Sequence, residues 1–314
     1  MTYLIRSTKE VEPLVSEGQL SPAHKAALGL DGGAVVALLD AAAHHQVPEM
    51  LNGDTETASC LWQGAAQDAL GEHAPWLAVL DENSATLRSL ITKGDAPWHL
   101  WGRWPGLLIQ ARKGLPSLRH HLRRLSRVTD NPGNAYFLRF WEPSVAQAFW
   151  AAFADNADHV AWRFGSEVAA VMWQSDAGIE RVELAAPMER RPVLTNAISA
   201  YRPLFKVARW NRFVERVAKE LAEEGPPFDT LSFDDVARLC EDARGSGYRK
   251  EIAIWDAVRA IASLHSAGCD IQSEAAQLWQ DHRPADDRSA ARELLEHARG
   301  VARKREGQSY GAGL

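Results

Sequence analysis

The chain has 314 residues, 46% of them hydrophobic and 24% charged, with a formal net charge of −6; that length suits about two domains. The composition is that of an ordinary globular protein, and its acidic balance argues against general affinity for nucleic acid. No apolar run approaches the roughly 20 residues of a membrane span, and no apolar h-region marks a signal peptide, so a cytoplasmic protein without membrane contact is expected.

In chain order, the first 30 residues read as strand and turn, broken by Pro13, Gly18, Pro22 and Gly29. After Gly32 and Gly33 the run AVVALLD has no polar alternation, which suits a strand buried on both faces. Similar runs recur at 60–64, 76–80, 106–111, 136–141 and 168–173, with helical segments at 84–92 and 143–154. The clearest helix is predicted over 115–128. There Leu115, Leu118, Leu122, Leu125 and Val128 make one apolar stripe, Pro116 fits the first turn, and Arg119, Arg123, Arg124 and Arg127 fall on the exposed side.

This alternation predicts an α/β fold: residues 1–190 form a lobe with a mostly parallel sheet flanked by helices. A hairpin of 168–173 with 179–184 closes it. Residues 191–314 read as an all-helical lobe. Its helices are expected at 195–224, after the N-cap Ser232, and at 249–266, 271–281 and 285–303, before an unstructured tail at 307–314.

The chemistry is sparse. Cys60, Cys240 and Cys269 are far apart and form no C-x-x-C, so they read as buried thiols rather than disulfides or metal ligands. His44-His45 and His120-His121 are neighbours, which point in different directions on a helix. No metal or cofactor is expected from them. No P-loop, no Rossmann fingerprint and no G-x-S-x-G elbow occurs. Asp40, Asp81 and Glu142 stand at predicted strand ends, where an α/β enzyme would carry catalytic acids. The other reading of Asp40 and Asp81 is that each caps the turn or helix that follows, and Glu caps less well than Asp because its longer side chain must fold back.

The charge distribution is more telling. No acid lies between Asp95 and Asp130, a window that holds Arg103, Arg112, Lys113 and the four helix arginines. Guanidinium groups bind carboxylates or phosphates in bidentate fashion. This face reads first as a solvated helix face balanced by acids elsewhere in the fold and next as a site for an acidic protein partner. With Trp98, Trp101 and Trp104 upstream, a stacking surface for single strands is the least of the three readings. Nine of the twelve tryptophans lie between Trp62 and Trp173, and most of these read as core.

The stretch FLRFWEP, 137–143, places an Arg in an apolar strand. On strand alternation Phe137, Arg139 and Trp141 share one face, with Leu138 and Phe140 on the other. Pro143 then opens a helix, with Glu142 near its N-terminus. Arg139 needs a partner there, and Asp40 or Asp81 is the expected one.

Five motifs occur in a telling order: ALLDAA (37–42, with Asp40), APWLAVL (74–80, with Trp76), WGRWPGLLIQ (101–110), LRHHLRRL (118–125) and FLRFWEPSV (137–145). Together, over residues 34–175, they resemble the type VI secretion effector-chaperone or adaptor domain, the Tap/TEC family. One departure is visible, Trp141-Glu142-Pro143 where the family usually has Tyr-Asp-Pro. The resemblance implies a non-enzymatic, cytoplasmic protein. Its partners would be a toxic effector and the VgrG-type spike onto which that effector is loaded.

Overall fold

The computed structural model describes residues 2–15, 18–130, 133–188, 197–225, 228–266 and 287–311. Cys269 and the helix expected at 271–281 lie outside the described residues. The chain divides into two compact units, Met1–Ala208 and Arg209–Leu314.

The first unit is built on a seven-stranded sheet. Its strands are β1 (Leu4–Lys9), β2 (Ala34–Asp40), β3 (Ser59–Cys60), β4 (Pro75–Asp81) and β5 (Gly106–Ala111). A separate ribbon pairs β6 (Arg127–Thr129) with β7 (Ala135–Phe137), and the main sheet resumes with β8 (Val168–Ser175) and β9 (Gly178–Leu184). The order in the main sheet is β1-β9-β8-β5-β2-β4-β3.

Every strand pairing described in that sheet is antiparallel. The expectation of a mostly parallel sheet is therefore corrected. Its premise, apolar runs without alternation, correctly reports a sheet covered on both faces. Val36 and Leu38 of β2 enter one core, and Val35, Ala37 and Leu39 enter the other. Coverage of both faces is typical of parallel sheets but does not require one. Here β2 lies between β4 and β5, and each connection brings the chain back antiparallel.

Helices supply that cover. On one face pack α1 (Pro22–Ala27), α2 (Val47–Asp54) and α4 (Ala85–Ile91); α3 (Ala65–Leu70) has no buried residue. On the other face lie α5 (Leu115–Leu125), α6 (Pro143–Trp150), α7 (Ala157–Phe164) and the start of α8 (Ala197–Glu223). Most of the tryptophan surplus is spent on these cores. Trp104, Trp141, Trp150 and Trp173 are all buried. The hairpin expected at 168–173 and 179–184 is present as β8–β9.

Several expected elements end early, the strand at 60–64 at Cys60 and the helix at 143–154 at Trp150 among them. Helix α5 stops at Leu125, where the Ser126 hydroxyl donates back to the Arg123 carbonyl at 2.8 Å. Val128 keeps its core place from strand β6 instead. The strand expected at 136–141 ends at Phe137. Beyond it the Glu142 N–H donates to the Arg139 carbonyl at 3.1 Å, closing a turn that leads into α6. Alternation therefore fails there: Leu138, Phe140 and Trp141 are all buried, while Phe137 and Arg139 carry exposed side chains.

The second unit is helical. Helices α9 (Phe233–Gly245), α10 (Glu251–Ser266) and α11 (Asp287–Gly311) share a core with Phe213, Val214, Val217 and Leu221 of α8. Ser232 caps α9 as expected, in a reciprocal capping box with Asp235. Helix α11 continues through Gly311, into the stretch read as an unstructured tail. Among the described residues no helix is long and apolar enough to cross a membrane.

Candidate functional site

Helix α5 divides its side chains by the three- and four-residue rule. Leu118, Leu122 and Leu125 face the core. Arg119 and Arg123 stand four residues apart on a neighbouring stripe, and Arg127 follows them from β6, beyond the end of the helix. Arg124 is one residue round from Arg123 and leaves that stripe.

The arginine stripe borders the loop after β3. Arg119 Nη2 donates to the Trp62 carbonyl at 2.8 Å, and Arg123 Nη1 donates to Gln63 Oε1. These acceptors are a carbonyl and an amide oxygen rather than carboxylates, so neither contact neutralises the guanidinium. Burial lowers the pKa of Arg119, and the nearby Arg123 charge adds to this while Cys60 opposes it.

Between this stripe and α3 lies an open groove of about 320 Å³ lined by Trp62, Gln63, Ala66, Leu70, Arg123, Ser126, Arg127 and Phe137. Ala66 and Leu70 stand at i and i+4 and so present one face of α3 to it. Asp68, two residues from either, is turned off that face. Leu70 and Phe137 are each 49% exposed, a large apolar area left to solvent. The wall continues inward as an aromatic chain. Trp62 meets Phe137 edge-on at 5.4 Å, Phe137 meets Trp141 at 5.7 Å, and Trp141 meets Phe140 at 5.1 Å.

Behind this wall sits the FLRFWEP joint. Asp40 ends β2 on the face of Val36 and Leu38 and is buried. Its Oδ2 accepts from Arg139 Nη2 at 2.5 Å and from the Trp141 indole at 2.8 Å, and its Oδ1 accepts from the Ala42 N–H at 2.9 Å. Each of these contacts is structural, and together they fix the turn that follows Phe137 and carries Trp141. Pro143 occupies the first turn of α6, and Glu142 stands at its N-cap without a side-chain capping bond. Its Oε1 accepts instead from the Ser144 hydroxyl at 2.8 Å.

The ribbon bearing Phe137 is held from the far side. Asp130 Oδ2 accepts from Tyr136 Oη at 2.7 Å and from Arg202 Nη2 at 2.9 Å. Its Oδ1 accepts from the Asn134 N–H at 2.8 Å.

Of the residues singled out in the sequence, Arg123 and Arg127 line the groove, Arg119 braces it, and Arg124 lies off it. Trp101 and Trp104 are elsewhere, packed with the core on the opposite face of the sheet. Trp104 is buried, and its indole donates to the Leu90 carbonyl at 2.6 Å. They do not join the arginines in a stacking surface. Trp76 likewise belongs to that opposite core, its indole bonded to the Gly71 carbonyl.

Asp40 and Asp81 do not converge either. Because β2 and β4 run antiparallel, Asp40 pairs with Pro75 and Asp81 with Ala34, at opposite ends of the two strands. Asp81 Oδ1 accepts from the Asn83 N–H at 2.8 Å, a turn-capping contact. Among the described residues no group of three or more His, Cys, Asp or Glu side chains is placed to hold a metal ion.

Sequence reasoning missed the apolar half of the groove. Trp62 was read as part of a strand and Phe137 as one face of another. Leu70 sat between recognised elements. The available signal was the i, i+4 pair Ala66 and Leu70 on a helix with nothing to bury it.

Residues 36–159 match the family model described as a domain of unknown function, DUF4123. The match falls inside the 34–175 stretch that carries the five ordered motifs, and it includes the groove and the Asp40–Arg139 joint. No curated protein and no solved structure matched the chain.

Proposed function

We propose that this chain is a non-catalytic adaptor that binds a type VI secretion effector in the cytoplasm and helps load it onto a VgrG-type spike. The observation that carries the reading is the groove. A binding protein of this kind needs apolar anchors beside charged groups, and Trp62, Leu70 and Phe137 line the groove together with Arg123 and Arg127. The order of the motifs supports the same reading, since the matched segment holds all five of them from Ala37 to Val145.

Co-expression of the tagged full chain with a type VI effector and a VgrG-type spike from the same genome, followed by pull-down, tests the reading. Capture of the effector, alone or with the spike, is the expected result. A folded chain that captures neither overturns it.

A further inference from the structure

We infer that the groove between α3, α5 and the β6–β7 ribbon takes a segment of a partner protein that presents a large apolar side chain between carboxylates. The apolar part follows from its lining. Ala66, Leu70, Trp62 and Phe137 all line it, the two rings in edge-on contact, and Leu70 and Phe137 are half exposed. Scattered exposed apolar residues need no explanation, whereas a concave contiguous set marks a binding surface. Its volume of about 320 Å³ is at the small end of the range for enclosed ligands. It therefore suits one or two side chains of a partner rather than a whole cofactor.

The carboxylates follow from the rim. Arg123 and Arg127 stand on the lining, and among the described residues no carboxylate forms an ion pair with either. Arg123 is already oriented by Gln63, so less side-chain freedom is lost when a carboxylate binds. A polyphosphate backbone fits less well. The net charge of −6 opposes a long anionic footprint, while a short acidic segment needs only the local rim. The inference rests on the adaptor reading for the source of that partner.

Fluorescence anisotropy of the full chain tests the chemistry without knowing the partner. The probe is a fluorescein-labelled peptide with Leu-Phe between Glu-Asp flanks, set beside the same peptide with Lys-Arg flanks. Saturable binding of the acidic peptide is expected. The affinity should fall at least about tenfold for the Lys-Arg peptide and for Arg123→Glu and Leu70→Glu, a loss of about 1.4 kcal/mol. Arg124→Glu, off the stripe, should bind like wild type. Both Leu70 and Arg123 are surface side chains; should either variant misfold by circular dichroism, Arg127→Glu reads the same rim.

Absence of binding, equal binding of the two peptides, or indifference to Arg123→Glu and Arg127→Glu overturns the inference. So does preference for a labelled oligothymidine. A chain that self-associates, and that Leu70→Glu makes monomeric, names a second copy as the occupant and overturns it too. Effector capture separates the two readings. An effector held equally by wild type and Leu70→Glu removes the groove and leaves the adaptor. Groove-dependent peptide binding with no effector capture removes the adaptor alone.

Discussion

Asp40 and Arg139, 99 positions apart in the chain, meet at 2.5 Å, with the Trp141 indole on the same carboxylate oxygen. The two ends of this contact are unequal. The Asp40 side chain is 4% exposed and that of Arg139 is 45% exposed. Removing Asp40 strands a buried indole N–H and frees the turn, while removing Arg139 takes away a half-solvated partner. Asp40→Ala should cost about 2–3 kcal/mol, and Arg139→Ala about 1 kcal/mol, as for pairs near the surface. Urea denaturation of the two variants checks the order. Equal losses, or a greater loss for Arg139→Ala, would show that the arginine carries the joint.

The joint shows how far the sequence could be read. Sequence logic named Asp40 as a candidate partner of Arg139, because an arginine in an apolar strand demands an acid at a neighbouring strand end. It misjudged the setting, since the chain leaves the strand after Phe137 and the arginine reaches Asp40 from a turn. A two-residue alternation cannot register a turn that buries consecutive residues such as Phe140 and Trp141. The sheet followed the same logic. Continuous apolar runs reported two covered faces, but strand direction depends on which strands become neighbours, and nothing local to AVVALLD encodes that. Of the groove, the basic rim was legible from the missing acids. Its apolar floor was not, because Trp62, Leu70 and Phe137 are brought together only by the fold.

Gly106 offers a sharper test of the antiparallel centre. A Cβ there would lie 2.1 Å from the Leu38 carbonyl oxygen and 2.9 Å from the Leu39 Cα, both backbone atoms of β2. Neither can yield as a flexible side chain would. Gly106→Ala should destabilise by about 2 kcal/mol or more. Gly114→Ala is the control, since the nearest atom to its Cβ is Pro116 Cδ at 3.8 Å, and it should stay within about 0.5 kcal/mol of wild type. Melting temperatures of the pair decide the matter. A Gly106→Ala variant as stable as Gly114→Ala would mean that β2 and β5 do not approach so closely.

The thiols are expected to be inert in the folded chain. Cys60 and Cys240 are buried. Burial raises both thiol pKa values, and Cys240 is pushed up to about 12, with Glu241 adding to the effect. Since the thiolate is the reactive form, a Cys269→Ser chain should react with a disulfide reagent only as fast as it unfolds. Native labelling faster than unfolding, followed by mass spectrometry, would identify an open path to one of the two.

Acid should loosen the ribbon that presents Phe137. The Tyr136 hydroxyl bonded to Asp130 is the main cause holding this carboxylate below its ordinary pKa of 3.8; the Asn134 and Arg202 bonds act in the same direction, and burial opposes them. A depressed carboxylate pKa adds stability that is fully present above the unfolded value and is lost as pH falls through the folded one. The loss therefore begins near pH 4 and deepens below it. Asp130→Asn keeps an acceptor for Tyr136 but cannot take up the proton, so its stability should fall less steeply than wild type over that range. Urea midpoints from about pH 6 down to about pH 3 measure the two slopes. Parallel acid limbs would place the titrating group elsewhere, and the hold on Phe137 would then be independent of pH.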